Sequence, residues 1–342
     1  LVVRPTVDAT SATGQKFTML DDGSFLAAGF SPIKNRLELT VKVDLKRITA
    51  FRLELLRHLD LPMGGPGRSI MGTAALTEFE VKAASVADPQ QMEEVKIHTA
   101  SADINLPQRE LDEVFRDKSD QHRVTGPIVL AIDGDEKTAW GIDAGPGRRN
   151  QSRKAVFVAK TPIENPDGTI LKLFLSQKHG GWNNNTNQSH NMGRFRLSIT
   201  AMANAVADPL PLQVRQILSI PRQQRTPEQV ATIFGYWRRT VPQWQHANER
   251  IEALWRQYPE GSAQLVLAAR QRPRRTHVLE RGDFLRPLGA VDAGVPTFLN
   301  PMPTDAPPNR LSFARWLVDR DGPTTGRAIV NRVWQIYFGI GL

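Results

Sequence analysis

Apolar and polar residues alternate in short runs through the first 204 positions. Leu37, Leu39 and Val41 alternate with Glu38 and Thr40, and Phe195, Leu197 and Ile199 alternate with Arg194, Arg196 and Ser198. A period of two marks a strand with one face buried. The β-rich runs are Lys16–Leu20, Arg36–Val43, Ile48–Leu55, Leu76–Ala83, Ile128–Ile132, Ala155–Lys160, Ile170–Ser176 and Arg194–Thr200. Turn chemistry divides them: D-D-G-S from Asp21, M-G-G-P-G from Met63, D-G-D from Asp133, A-G-P-G from Ala144 and N-P-D-G from Asn165. Many short strands with such turns predict a β-sandwich or jelly roll over 1–204. A short helix is an alternative for 106–118.

The pattern changes after Ala205. Asp208-Pro209-Leu210-Pro211 reads as a linker, placed over 205–225. Thr226, Pro227 and Gln229 then form a capping-box start. Val230, Ile233, Phe234 and Trp237 follow on one helical face. Pro242 opens a second helix with Trp244, Ala247, Ile251, Leu254, Trp255 and Tyr258 on its face, so a hairpin with the two faces packed together is expected. Residues 276–302 are turn-rich. Asn309 caps a helix carrying Leu311, Ala314 and Leu317. A last helix from about Thr325 is expected to bury Ile329, Val333 and Trp334 and to end at Gly339. The fold expected is a mainly β N-terminal part followed by a mainly α part over 226–342.

Composition narrows the function classes. The 342 residues are 40% hydrophobic, enough for a core, and include no Cys. Disulfides, thiolate metal sites, a Cys nucleophile and haem attachment are therefore excluded from this stretch. No apolar run approaches the roughly 18 residues of a membrane span. The net charge of +9 is uneven: residues 205–342 hold 18 Arg against 11 acidic residues, and the last Lys is Lys178. No basic run with interleaved aromatics accompanies it, so nucleic acid is not an expected partner. The chain starts at Leu1 and stops within a helical pattern, and reads as a piece of a longer protein.

Two groups in the β part carry candidate chemistry. Asp133 and Asp135 flank a tight Gly and are candidate Ca²⁺ ligands, and Trp140 just beyond offers a face for a sugar ring. The alternative is hairpin chemistry beside a core Trp. The H-G-G-W-N-N-N string supplies His179, Trp182, Asn183 and Asn184, with His190 further on. Amides bond sugar hydroxyls and Trp stacks on a ring; a plain surface loop is the alternative. Gly64-Gly65-Pro66-Gly67-Arg68 lacks the Lys and Ser/Thr of a phosphate loop. It reads as a tight turn with Arg68 held by a carboxylate such as Glu54 or Glu78. Those two Glu residues lie inside strands, which favours Arg pairing over a glycosidase pair. No catalytic residue is assigned.

The string L-S-F-A-R-W-L-V-D-R-D-G-P-T-T-G-R-A-I-V-N-R-V-W-Q-I-Y-F-G-I-G-L closes the chain, and T-H-V-L-E-R-G-D-F-L-R-P-L-G-A-V-D-A-G-V-P-T-F-L spans Thr276 to Leu299. Both resemble the DUF1553 (PSD1) family. Upstream, A-F-R-L-E-L-L-R-H-L-D-L-P-M-G-G-P-G-R (Ala50–Arg68), L-T-E-F-E-V (Leu76–Val81) and G-R-F-R-L-S-I-T (Gly193–Thr200) resemble its members in the same order. Gly322, Thr324 and Gly326 depart from the usual pattern. The resemblance implies a long, exported, planctomycete-type protein. It further implies a galactose-binding or lectin-like sandwich, a DUF1549 partner domain and a c-type cytochrome domain before Leu1. The matching residues Arg68, Glu78, Arg281, Asp283, Asn331, Arg332 and Trp334 read as structural, with Arg332 tied to Asp283. No cofactor is expected within the chain apart from the Ca²⁺ candidate.

The function expected is non-catalytic binding of a polysaccharide or cell-envelope glycan, with other domains of the same polypeptide as partners. Two alternatives stand beside it. One is a polysaccharide-active enzyme with its site in the C-terminal part, and the other is a structural spacer.

Overall fold

The computed structural model describes residues 1–116, 122–181, 188–259 and 275–342. The chain divides into two compact units, Leu1–Gln264 and Leu265–Leu342. As expected, the N-terminal part is mainly β and helices follow it.

The first unit carries β1 (Thr6–Val7), β2 (Gln15–Met19), β3 (Phe25–Gly29), β4 (Asn35–Val43) and β5 (Arg47–Leu55). Then come β6 (Ala75–Leu76), β7 (Glu78–Ser85), β8 (Glu93–Glu94), β9 (Ile97–Ala102) and β10 (Arg109–Glu110). β11 (Val124–Gly126), β12 (Thr138–Gly141), β13 (Arg153–Glu164), β14 (Thr169–Gln177) and β15 (Arg194–Thr200) complete it. A six-stranded sheet runs β2-β3-β15-β5-β13-β9 and a five-stranded sheet β1-β4-β14-β7-β8. Every neighbouring pair in both is antiparallel. A smaller sheet runs β10-β11-β12-β6.

Side-chain alternation explains why the two large sheets face each other. Leu37 and Leu39 of β4 and Phe195, Leu197 and Ile199 of β15 are buried, while the polar residues between them lie on the outer faces. The apolar faces share one core. At its centre Phe79 of β7 stacks on Phe157 of β13, with ring centroids 4.0 Å apart and planes 9° apart. Phe51 of β5 lies 6.0 Å from Phe79. Burying such rings supplies the main favourable term of folding.

One strand expectation is overturned. Ile128–Ala131 forms a 3-10 helix, not a strand. Pro127 presets the entry, and Leu130 N–H bonds the Pro127 carbonyl at 3.1 Å. Ile128 and Ala131, three apart, are buried and Val129 is exposed, so the apolar run follows a period of three.

Residues 205–225 pack onto the unit. Ala205 and Ala207 join Ala50 and Val156 in a small apolar cluster, and α1 (Leu212–Leu218) buries Val214 and Ile217. The capping box opens α2 (Pro227–Trp237): Thr226 N–H bonds Gln229 Oε1 at 3.0 Å and Gln229 N–H returns to Thr226 Oγ1. α3 (Gln245–Arg256) follows a Pro242 turn. The faces of α2 and α3 are not packed together as expected. Phe234 meets Trp244 edge to face at 5.2 Å, yet Val230, Phe234, Trp237 and Trp244 all remain exposed.

The second unit has a hairpin of β16 (Thr276–Leu279) and β17 (Pro287–Val291), then α4 (Arg310–Leu317) and α5 (Thr325–Phe338). Asn309 caps α4 by accepting from Ser312 N–H at 3.0 Å. The buried face of α4 is Ser312 and Trp316, not Leu311 and Leu317, because the Trp316 indole N–H reaches the Asn300 carbonyl at 2.6 Å. Ile329, Val333 and Trp334 of α5 are exposed, contrary to expectation. Gly339 ends α5 at φ +76°, the left-handed cap expected of it.

Candidate functional site

Two histidines from the β part meet the small sheet. Thr77, between β6 and β7, places its hydroxyl 3.2 Å from His179 Nδ1, and His179 Nε2 lies 3.0 Å from the Val124 carbonyl. An N–H at Nε2 donates to that carbonyl, so Nδ1 accepts from Thr77. His179 is 1% exposed. Both of its ring nitrogens are engaged, so it is a positioning residue and not the ligand contact expected. Gly180 follows because a Cβ there would lie 1.8 Å from the Ile33 carbonyl oxygen. Burial lowers the His179 pKa to about 4.

His190 stacks on Phe115 at 3.9 Å and places Nε2 3.2 Å from Thr73 Oγ1. Burial lowers its pKa to about 3, and the ring is neutral at ordinary pH. Thr73 belongs to the Gly-rich loop. A Cβ on Gly67 would lie 1.9 Å from the Thr73 carbonyl oxygen, so this glycine serves backbone packing. Arg68 corrects its expectation. Its guanidinium donates to the backbone carbonyls of Gly29 and Phe30, not to Glu54 or Glu78. Glu54 instead pairs with Arg196 at 2.8 Å and Arg52 at 3.3 Å. It lies on the six-stranded sheet and Glu78 on the five-stranded one, which separates them as a glycosidase pair.

The D-G-D loop folds onto β7. Gly134 N–H donates to Glu78 Oε1 at 2.6 Å. Asp133 accepts from Asp135 N–H at 3.0 Å and from Thr138 Oγ1 at 2.8 Å, and Asp135 accepts from Lys137 N–H at 2.9 Å. Burial raises the Glu78 pKa to about 7 against the opposing Gly134 bond, and the neighbouring Asp133 charge adds to the rise. Among the described residues no group of three or more His, Cys, Asp or Glu side chains is placed to hold a metal ion.

Trp140 is fully buried and its indole N–H donates to the Ile104 carbonyl at 3.2 Å. This corrects the sugar-stacking expectation: no ring face is open to a ligand. Trp182, Asn183 and Asn184 lie outside the described residues. In the second unit, Asp283 pairs with Arg286 at 3.7 Å and accepts from Leu285 N–H at 2.9 Å, so the expected tie to Arg332 is not made. Arg281 occupies a turn at φ +51°, Asn331 Oδ1 accepts from Leu342 N–H, and Trp334 packs on Phe338 at 4.2 Å.

A ligand-sized cleft lies where the chain crosses from β8 to β9. Its volume is about 570 Å³, within the range of small-ligand sites. The floor includes Ala83, Ala84, Val95 and Ile163, and the rim Asp88, Glu93, Glu94, Lys96, Lys160 and Asn165. The cleft owes its shape to a bulge in β13. Val158 pairs with Ala50 but Ile163 pairs with Ile48, so three extra residues loop out, Pro162 at their end. Lys160 N–H anchors the crossing chain through the Lys96 carbonyl at 2.8 Å. Neither Lys96 nor Lys160 has an ion pair among the described residues. Sequence reasoning missed this cleft; the usable signal was a Pro inside a β-rich stretch, which marks a bulge or edge.

Residues 309–342, which hold α4 and α5, match a family described as protein of unknown function (DUF1553), PSD1. No curated protein and no solved structure matches the chain. No helix among the described residues is long and apolar enough to cross a membrane.

Proposed function

We propose that the β unit is a non-catalytic module that recognises a glycan, within an exported protein of several domains. The observation that carries this reading is the β8–β9 cleft. Exposed Lys96 and Lys160 donors stand beside the Asp88, Glu93 and Glu94 acceptors above a small apolar floor. A sugar hydroxyl both donates and accepts, and the ring carries C–H faces, so a polyol matches this mixture better than an anion or a cation. The resemblance of the chain's motifs to an exported family supports the setting.

The test is a glycan array probed with the 342-residue chain, followed by Lys96→Ala and Lys160→Ala on any retained glycan. A charge-assisted hydrogen bond contributes about 1.5–3 kcal/mol, so each variant is expected to weaken binding at least about tenfold. No retained glycan, or unchanged affinity in both folded variants, overturns the reading. Release of reducing ends by the chain favours the enzyme alternative instead.

A further inference from the structure

Among the described residues, His190 has one ring nitrogen bonded and one without a partner. Nε2 faces Thr73, while Nδ1 is buried and unpartnered in a side chain 7% exposed. His190 lines a small pocket with Arg109, Thr125 and Asp143, which among the described residues shares no lining residue with the β8–β9 cleft. Asp143 Oδ1 is taken by Arg149 at 3.0 Å and Gly145 N–H at 2.8 Å. Among the described residues its Oδ2 meets only the Arg109 guanidinium, at 3.8 Å, longer than a hydrogen bond. Arg109 and Pro107 are exposed and form the mouth.

We infer that this pocket is an anchoring subsite for a single hydroxyl group of a polyol, held between His190 Nδ1, Asp143 Oδ2 and the Arg109 guanidinium. Size sets the first limit. The space is about 10 Å³, enough for one water-sized group and too small for a sugar ring. The Gly141 wall is already tight, since a Cβ there would lie 2.7 Å from Thr125. Charge sets the second limit. A bare anion meets the Asp143 carboxylate and a bare cation meets Arg109. A hydroxyl donates to Asp143 and accepts from Arg109. Its second lone pair accepts from Nδ1–H of the neutral His190 ring, in the tautomer whose Nε2 accepts from the Thr73 hydroxyl. Satisfying a buried polar atom recovers the free energy that leaving it unpaired costs. This subsite rests on the polyol reading of the chain but on different residues.

The experiment is long-range ¹H–¹⁵N NMR of the His190 ring in the full chain. Methanol and methyl β-galactopyranoside serve as hydroxyl probes, with acetonitrile as a small control lacking a hydroxyl. The expected result is a saturable shift of His190 Nδ1 with both hydroxyl probes and none with acetonitrile. Arg109→Met is expected to weaken that response about tenfold, the loss of one charge-assisted bond. If Arg109→Met does not fold, Arg109→Lys replaces it and is expected to retain a weakened response. Lys160→Ala separates the two proposals, because it disables the cleft and leaves the His190 response unchanged. Absence of a saturable shift, or an equal shift with acetonitrile, overturns the subsite.

Discussion

Arg148 and Glu252 are joined by two parallel hydrogen bonds, Nη1 to Oε1 and Nη2 to Oε2, each 2.8 Å long. Planar bidentate geometry is the strong form of this pair. It ties α3 to the loop between β12 and β13, and the Arg148 guanidinium lies 5.3 Å from the Trp255 ring. Gly147, at φ +74°, sits so close that a Cβ would lie 2.5 Å from the Trp255 ring. α3 is thereby fastened to the β unit through this loop.

Arg148→Ala is expected to raise hydrogen exchange along α3 while lowering global stability by only about 1 kcal/mol or less, since both side chains are at least a third exposed. The Arg148 bonds hold the Glu252 pKa below its usual value. The tie is therefore complete above the ordinary carboxylate range and weakens as pH falls through the depressed value. Unchanged exchange in α3 at neutral pH contradicts this role.

Acid is expected to destabilise the β unit through His179 and His190. Their folded-state values, about 4 and about 3, lie below the ordinary 6.5. The unfolded chain therefore binds protons first as pH falls below about 6.5, and stability drops until the folded values are reached. For His179 the full effect is about 3 kcal/mol. Urea midpoints measured from pH 7 to pH 4 check this. His179→Gln is expected to flatten the slope even if it lowers stability at pH 7.

Glu78 acts with the opposite sign. Its folded value, about 7, is raised above 4.5, so its contribution is complete below 4.5 and is lost as pH rises through about 7. Glu78→Gln keeps an acceptor for Gly134 N–H without the charge. The expected outcome is a D-G-D loop whose protection against exchange, corrected for the intrinsic rate at each pH, no longer falls between pH 5 and pH 8. A loop equally pH-dependent in the variant refutes the assignment.

Trp140→Ala is expected to cost about 3–5 kcal/mol, as for other buried large rings, and to leave the Ile104 carbonyl without its donor. Trp140→Phe refills most of the volume and is expected to fold and to bind any retained glycan as the parent does. A binding loss in folded Trp140→Phe contradicts the core placement.

The sequence alone determined features set by near neighbours. The period-two runs became β4 and β15, the β-rich runs around them became β5, β7 and β14, and the Thr226 capping box, the Asn309 cap and the Gly339 terminus appear where the spacing put them. Each depends on residues within about four positions, which a linear pattern records. Partners across the chain were decided only by tertiary structure. Thr77 meets His179 across 102 positions and Thr73 meets His190 across 117. Sheet order places β14 between β4 and β7, and β5 between β13 and β15. That order buried Trp140 and both histidines, turned Arg68 onto backbone carbonyls and opened the cleft beside the β13 bulge. Burial and desolvation are properties of what surrounds a side chain in space, so no spacing in the sequence could state them.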